Sequence, residues 1–348
     1  MNKYSVTRVF ILTASLWLAG CQQEPAEYHD NVLAFGTIIK ITLIGLSPEE
    51  TDLVMAKINK SFKYFHYAFH PFNPGPTGRI NSLLEATGEF TANPVLIPLI
   101  QKSKLYEQQS RGLFNPAIGK LLTLWGYHKE LSPEGPAPTD EAIMMLVKQS
   151  PSMQTISIRG IRMSNNNPTV KLDFGGIAKG YALDIIMAQL KQMGVHNASI
   201  NTGGDLKVIG QGAQAAWKIG IQDPRGDGVI ASLSAADGEA VFTSGDYERF
   251  FIEAGKRYHH ILDPRTGYPA KNSQSVTVVH TDAALADAAA TALFIAGPKE
   301  WLSIAKSMNI QQAMLIDRDG KIYITKNLHQ RIKFLKPDLD ISVVALPE

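Results

Sequence analysis

The chain has 348 residues, 45% of them hydrophobic and 19% charged, with a formal net charge of +2. That is enough chain for a substantial core, in one large domain or two lobes. A near-neutral balance, with no run of Lys or Arg interleaved with aromatics, argues against nucleic-acid binding.

The opening segment, MNKYSVTRVFILTASLWLAGC, sets Lys3 and Arg8 ahead of an apolar run, Val9–Leu18, too short to span a bilayer comfortably. It ends in Leu18-Ala19-Gly20-Cys21, which looks like a bacterial lipoprotein signal, with small residues for the peptidase and a thiol to take the lipid. Cys21 is the only cysteine, so it has no disulfide partner within the chain. The expectation is a signal peptide over 1–20, lipidation of Cys21 with a tether over 21–30, and a folded domain over 31–348. No later segment reaches 18 uninterrupted apolar residues, so the mature chain is expected to be tethered to a membrane and not to span it.

After the tether, VLAFGTIIKITLIGL alternates around Gly36 and predicts a strand pair or a bulged strand. Ser47 as N-cap and Pro48 at the first helical position open a helix through SPEETDLVMAKINKSFKYFHYAF. HPFNPGPTG is a loop, a helix is expected from Pro94 to Gln109, and Asp140 begins another after the breaker-rich SPEGPAPTD. TISIRGIRMSNNNPTVKLDF reads as a hairpin with an Asn-rich turn. KLDFGGIAKGYALD then runs from a strand through Gly175-Gly176 into a helix, Ile177–Met193, closed by Gly194. Strands follow in ASINTGGDLKVIGQ, AWKIGIQD and EAVFTSGDYERFFIEAGKRYHHILD, then the helix DAALADAAATALFIAG and a last helix–strand segment. Elements mix without a regular βαβ rhythm, which gives an α+β class.

Three stretches carry candidate chemistry. In DFGGIAKG, two glycines ahead of a helix let the backbone approach a ligand, and the helix N-terminus can face an anion. Lys179 lies in the first helical turn, where the dipole disfavours a cation unless a negative group, such as a bound phosphate, is near; otherwise the stretch is a tight turn with a solvated Lys. In ADAAAT, Asp287 and Thr291 share one helix face, with small alanines around two hard oxygen ligands suited to Mg²⁺. The same spacing also allows Thr291 to bond back to the carbonyl of Asp287 while Asp287 faces water. In HHILDPRTG, His260 can accept a proton and Arg265 can contact an anion, or the stretch is a hairpin turn with surface histidines. GQGAQA matches a dinucleotide fingerprint, but the strand-like AWKIGIQ stands where that fingerprint needs a helix.

Taken in order, DFGGIAKGYALD, NTGGDL, TSGDYERFF, HHILDPRTGYP and ADAAATALFIAG closely resemble the ApbE family of FAD:protein FMN transferases, and AFGT and GLFNPAIGKLLTLWG look like its earlier blocks. The resemblance covers nearly all of residues 30–330. It implies two closely associated lobes with FAD between them, and transfer of FMN from FAD to a Thr or Ser hydroxyl of another protein, with release of AMP. By the same resemblance Asp287, Thr291 and the carbonyl of Gly176 hold Mg²⁺. FAD contacts fall on Phe35, Phe72, Leu113, Phe114, Asn115, Asp173, Lys179 and Ile261, and His260 is the catalytic histidine. Two positions depart from the family pattern: Asn115 stands where many members carry Asp, and Lys179 where some carry Glu.

The acceptor implied is a subunit of a membrane redox complex, such as a sodium-pumping quinone reductase. The location implied is periplasmic and lipid-anchored, with the inner membrane favoured. Two alternatives remain open at this point: a Mg²⁺-dependent FAD pyrophosphatase, in which water replaces the acceptor, and a lipoprotein that binds FAD without chemistry.

Overall fold

A computed structural model describes residues 26–346 except 73, 87, 129–132, 134 and 214. The signal peptide, Cys21 and the start of the tether lie outside the described residues. A hairpin, β1 (Glu27–Ala34) and β2 (Thr37–Ile44), comes first, so the last residues of the expected tether already pair in a sheet. Helix α1 (Pro48–Phe69) begins as expected, with Ser47 and Glu50 forming a reciprocal capping box, and α2 (Pro76–Leu84) follows. Next come β3 (Glu89–Thr91), α3 (Ile97–Gln109), α4 (Gly119–Leu124) and α5 (Asp140–Lys148). The hairpin β4 (Ile156–Arg159) and β5 (Arg162–Asn165) turns at Gly160-Ile161. The Asn-rich stretch expected to make that turn instead follows β5, where Asn165 and Asn167 cap loop amides.

Lys171–Phe174 is not a regular strand. It is an extended segment held along residues 116–119 by Asp173 N–H to the Pro116 carbonyl (2.8 Å) and Gly119 N–H to the Lys171 carbonyl (2.8 Å). Helix α6 (Ala178–Gln192) follows and ends at Gly194, whose φ of 81° suits glycine. Then come β6 (Asn197–Thr202), β7 (Asp205–Ile209), β8 (Trp217–Gln222), β9 (Val229–Ala235), β10 (Ala240–Gly245), β11 (Phe250–Glu253), β12 (Lys256–His259) and β13 (Ser273–His280). Helix α7 (Ala283–Ser307) is kinked at Gly297-Pro298. The described chain closes with β14 (Ala313–Asp317), β15 (Ile322–Thr325), α8 (Lys326–His329), β16 (Ile332–Phe334) and β17 (Ile341–Val344).

Nine strands form one sheet in the order β1-β2-β6-β7-β10-β13-β14-β15-β17, antiparallel except for the last pair. Helices α1, α6 and α7 bury their apolar sides with one face of it. The three-stranded sheet β16-β9-β8 covers part of the other face, packing Ile219, Ile221 and Leu233 with Leu206, Val241, Val279 and Met314. Strands β7, β13 and β14 are therefore buried on both sides along nearly their whole length. A smaller lobe gathers Leu121, Trp125, Tyr127, Ile143 and Leu262 against the β11–β12 hairpin, tied by Tyr127 O–H to the Tyr258 carbonyl (2.7 Å). Among the described residues no helix is long and apolar enough to cross a membrane.

Helices α6 and α7 meet at Gly180. A Cβ there would lie 2.2 Å from the Ala283 carbonyl oxygen and 2.9 Å from Ala284 Cα, so only glycine permits the approach. Gly180→Ala is expected to force the helices apart and cost about 2 kcal/mol of stability. Denaturant unfolding checks this, and wild-type stability would contradict the packing argument.

Candidate active site

The double-glycine turn ahead of α6 lies against α7. Neither Gly175 nor Gly176 has a positive φ; at Gly176 the requirement is space. A Cβ on Gly176 would stand 3.0 Å from Thr291 Oγ1 and 3.5 Å from the Phe114 ring. One turn earlier on α7, Asp287 is only 6% exposed, and its Oδ2 accepts the Gly180 N–H at 3.0 Å. Asp287 thus does not face water, and the Thr291 hydroxyl lies 3.3 Å from Ser244 Oγ. Carboxylate and hydroxyl form a corner of hard oxygen donors beside the turn.

The charges at this corner are unbalanced. Burial pushes the Asp287 carboxyl up to about 7 against the pull of Lys179 and the Gly180 amide, and Asp205 and Glu248 add to the rise. Burial alone would lower Lys179, but Asp205, Glu248 and Asp287 outweigh it and hold the amine protonated. Lys179 is ion-paired with Asp205, whose other oxygen accepts the Thr243 N–H at 2.8 Å. The negative partner that the dipole argument assigned to a phosphate is therefore a carboxylate of this chain.

A cavity of about 580 Å³ opens from this corner. Asp173, Gly176, Lys179, Asp287 and Thr291 line one end. Phe35, Phe72, Leu113, Phe114 and Asn115 also line the cavity, Phe114 beside Gly176, and so do His260 and Ile261. Asn115 is tied into its own loop, donating to the Pro151 carbonyl (2.8 Å) and accepting the Ala117 N–H (2.9 Å). Arg265 is not among the cavity residues; it pairs with Asp263 and Glu300, each at 2.8 Å. A shallower depression beside Lys102 and Asp282 has those charges paired with each other at 2.6 Å, and Asp184 there caps the first amides of α7.

The two adjacent histidines differ in role. His259 is buried, with Nε2 2.7 Å from the Ala270 carbonyl and Nδ1 accepting the Ile261 N–H, so it shapes the loop. His260 faces the cavity with Nδ1 3.3 Å from the Arg249 carbonyl. A carbonyl only accepts, so Nδ1 carries the proton and Nε2 keeps its lone pair.

The sequence pattern of the ApbE family matches residues 35–315. The chain belongs to the ApbE family. It is 35% identical over 343 residues to a Rhodobacter capsulatus protein named FAD:protein FMN transferase, covering 97% of this chain and 65% of that relative's length. A Klebsiella pneumoniae protein of the same name is 34% identical over 259 residues, covering 73% of this chain and 78% of the relative. The crystal structure of an ApbE protein from Thermotoga maritima superposes with a TM-score of 0.79 at 32% identity, covering 88% of this chain and 99% of that one. The α+β class with two associated lobes is therefore the ApbE fold.

In this ApbE chain, Asp205, Thr243, Ser244, Glu248 and Arg249 also line the cavity, and residue-type reasoning had not singled them out. The glycine turns NTGGD and TSGDYER were the only signal for them. Burial, with His259 and Arg249, pushes His260 down to about 3, so the folded chain binds fewer protons than the unfolded one between pH 6.5 and about 3. His260 thus contributes stability that is complete above pH 6.5 and lost as pH falls through that window. NMR titration of the ligand-free chain is expected to show a neutral His260 ring, protonated at Nδ1, down to pH 5. A ring that charges near pH 6.5 would contradict the burial.

Proposed function

We propose that this chain transfers FMN from FAD to a Thr or Ser hydroxyl of an acceptor protein, forming a phosphoester and releasing AMP. The observation that carries the reading is the approach of the Gly175-Gly176 turn to Asp287 and Thr291, at one end of a cavity that His260 enters. The names of the relatives point the same way. Among the described residues no group of three or more His, Cys, Asp or Glu side chains could hold a metal ion. The corner does fit Mg²⁺ bound jointly by protein and substrate: two hard oxygen side chains and the Gly176 carbonyl, with a carboxyl whose charged form burial disfavours. Mg²⁺ held there would neutralise charge on the pyrophosphate oxygens.

The chain's own residues supply the rest, because phosphoryl transfer is catalysed mainly by positioning and electrostatics. Lys179, held protonated and oriented by Asp205, places an ammonium group at the phosphate end. Phe35, Phe72 and Phe114 offer flat apolar surface for the rings of FAD. His260 accepts the proton of the attacking hydroxyl at Nε2, whose lone pair the Nδ1 contact to the Arg249 carbonyl leaves free. The acceptor is a subunit of a membrane redox complex, and lipidation at Cys21 confines enzyme and acceptor to one periplasmic membrane surface, with the inner membrane favoured.

Incubation with FAD, Mg²⁺ and a candidate acceptor, followed by a denaturing gel under ultraviolet light, is expected to show covalent flavin fluorescence on the acceptor with AMP in solution. AMP without labelled protein would make the chain a pyrophosphatase, and neither product would make it a carrier. Asp287→Ala is expected to abolish labelling with the secondary structure retained by circular dichroism. Full labelling by that variant would remove the metal assignment.

A further inference from the structure

Two aromatics of the cavity, Phe35 and Phe72, rest on two histidines one helical turn apart. His66 and His70 lie in the last turn and at the C-cap of α1, and both line the cavity. His66 Nδ1 accepts the Phe35 N–H at 3.1 Å, and His70 Nδ1 accepts the Phe72 N–H at 3.2 Å. The rings run edge to face in sequence: Phe35 to His66 at 6.0 Å and 87°, His66 to His70 at 5.9 Å and 85°, His70 to Phe72 at 6.2 Å and 83°. Two cavity aromatics from separate loops are therefore fixed, backbone and ring together, to one rigid helix.

The local backbone shows why the posts are needed. Phe35 and Gly36 form the two-residue loop between β1 and β2, with φ of 53° and 69°. Such a loop favours Asn-Gly, because a bulky residue in the left-handed region is strained. Phe35 occupies that position nonetheless, and the bond to His66 holds it there. Phe72 lies in the proline-rich loop between α1 and α2, outside regular structure, where the bond to His70 is a fixed tie to α1.

We infer that His66 and His70 are positioning residues, which through their Nδ1 acceptors set Phe35 and Phe72 for the rings of the flavin dinucleotide and so set its affinity. The inference rests on the reading of this cavity as the FAD site. Because each Nδ1 accepts, the proton of each neutral ring sits on Nε2. The contribution is to binding and not to the chemical step, since neither ring belongs to the Asp287–Thr291 corner.

The test uses the full chain in detergent. FAD affinity is measured by flavin fluorescence, turnover at saturating FAD by AMP release with Mg²⁺ and the candidate acceptor present, and folding by thermal melting, for His66→Leu, His66→Asn, His66→Gln and the same three changes at His70. Asn places an amide oxygen where Nδ1 stood; Leu and Gln do not. The expected result is FAD binding about tenfold weaker in each Leu and Gln variant, with turnover at saturation unchanged and affinity restored by Asn. Leu and Gln variants with wild-type affinity would overturn the inference, as would Asn variants as weak as Leu, or a loss of turnover without loss of affinity. A Leu variant that melts early leaves the Asn–Gln comparison to decide. Failure of the unsubstituted chain to bind FAD would overturn the functional reading itself, and this inference with it.

Discussion

The contact between α6 and α7 at Gly180 sets the geometry of the site. Backbone meets backbone there because one residue lacks a Cβ, and the same residue's N–H is bound by the Asp287 carboxylate. That single hydrogen bond joins the start of one helix to the functional face of the other. It also fixes where the preceding turn must lie, so Gly176 comes to rest against Thr291. The alanines of α7 serve this approach as much as they serve the core: nearly all are fully buried, between the large sheet and α6. Sheet, helices and turn are thus coupled through a contact that tolerates no added atom.

The second constraint is electrostatic. Asp205 and Asp287 are both buried, Glu248 borders the same cavity, and Lys179 is already committed to Asp205. Burial raises the Asp287 carboxyl to about 7, and a cation beside it would favour the charged form. A substrate that brings its own phosphate oxygens can complete such a cation's shell, which the protein donors alone do not fill. The smaller lobe brings a histidine kept neutral by burial to the same cavity. These features agree with the relatives' shared name.

Much of this was legible in the sequence where the cause was local. Ser47 with Glu50 three residues on, and Gly194 after the α6 pattern, mark helix ends through interactions within one turn. The shared face of Asp287 and Thr291 follows from helical spacing alone. What failed was non-local. Strand β13 was hidden because it is buried on both faces and so lacks alternation, with Ser273, Gln274 and Ser275 inside the core. The Asn-rich run suggested a turn, yet Gly160 supplied it. Lys179 did need an anion at the helix start, but Asp205 comes from a strand 26 residues away, which no local pattern shows. The imidazole posts under Phe35 and Phe72 were equally invisible, since His66 lay inside a helical stretch and His70 opened a loop, with nothing local to join either to an aromatic.

Joint binding of a divalent cation and a dinucleotide at the α6–α7 corner is the claim on which the account turns. A crystal structure of the chain with FAD and Mg²⁺ tests it most directly. The account predicts a cation about 2.1 Å from oxygens of Asp287, Thr291 and the Gly176 carbonyl, completed by pyrophosphate oxygens. A dinucleotide lodged in another part of the molecule, or a cation bound away from that turn, would contradict it.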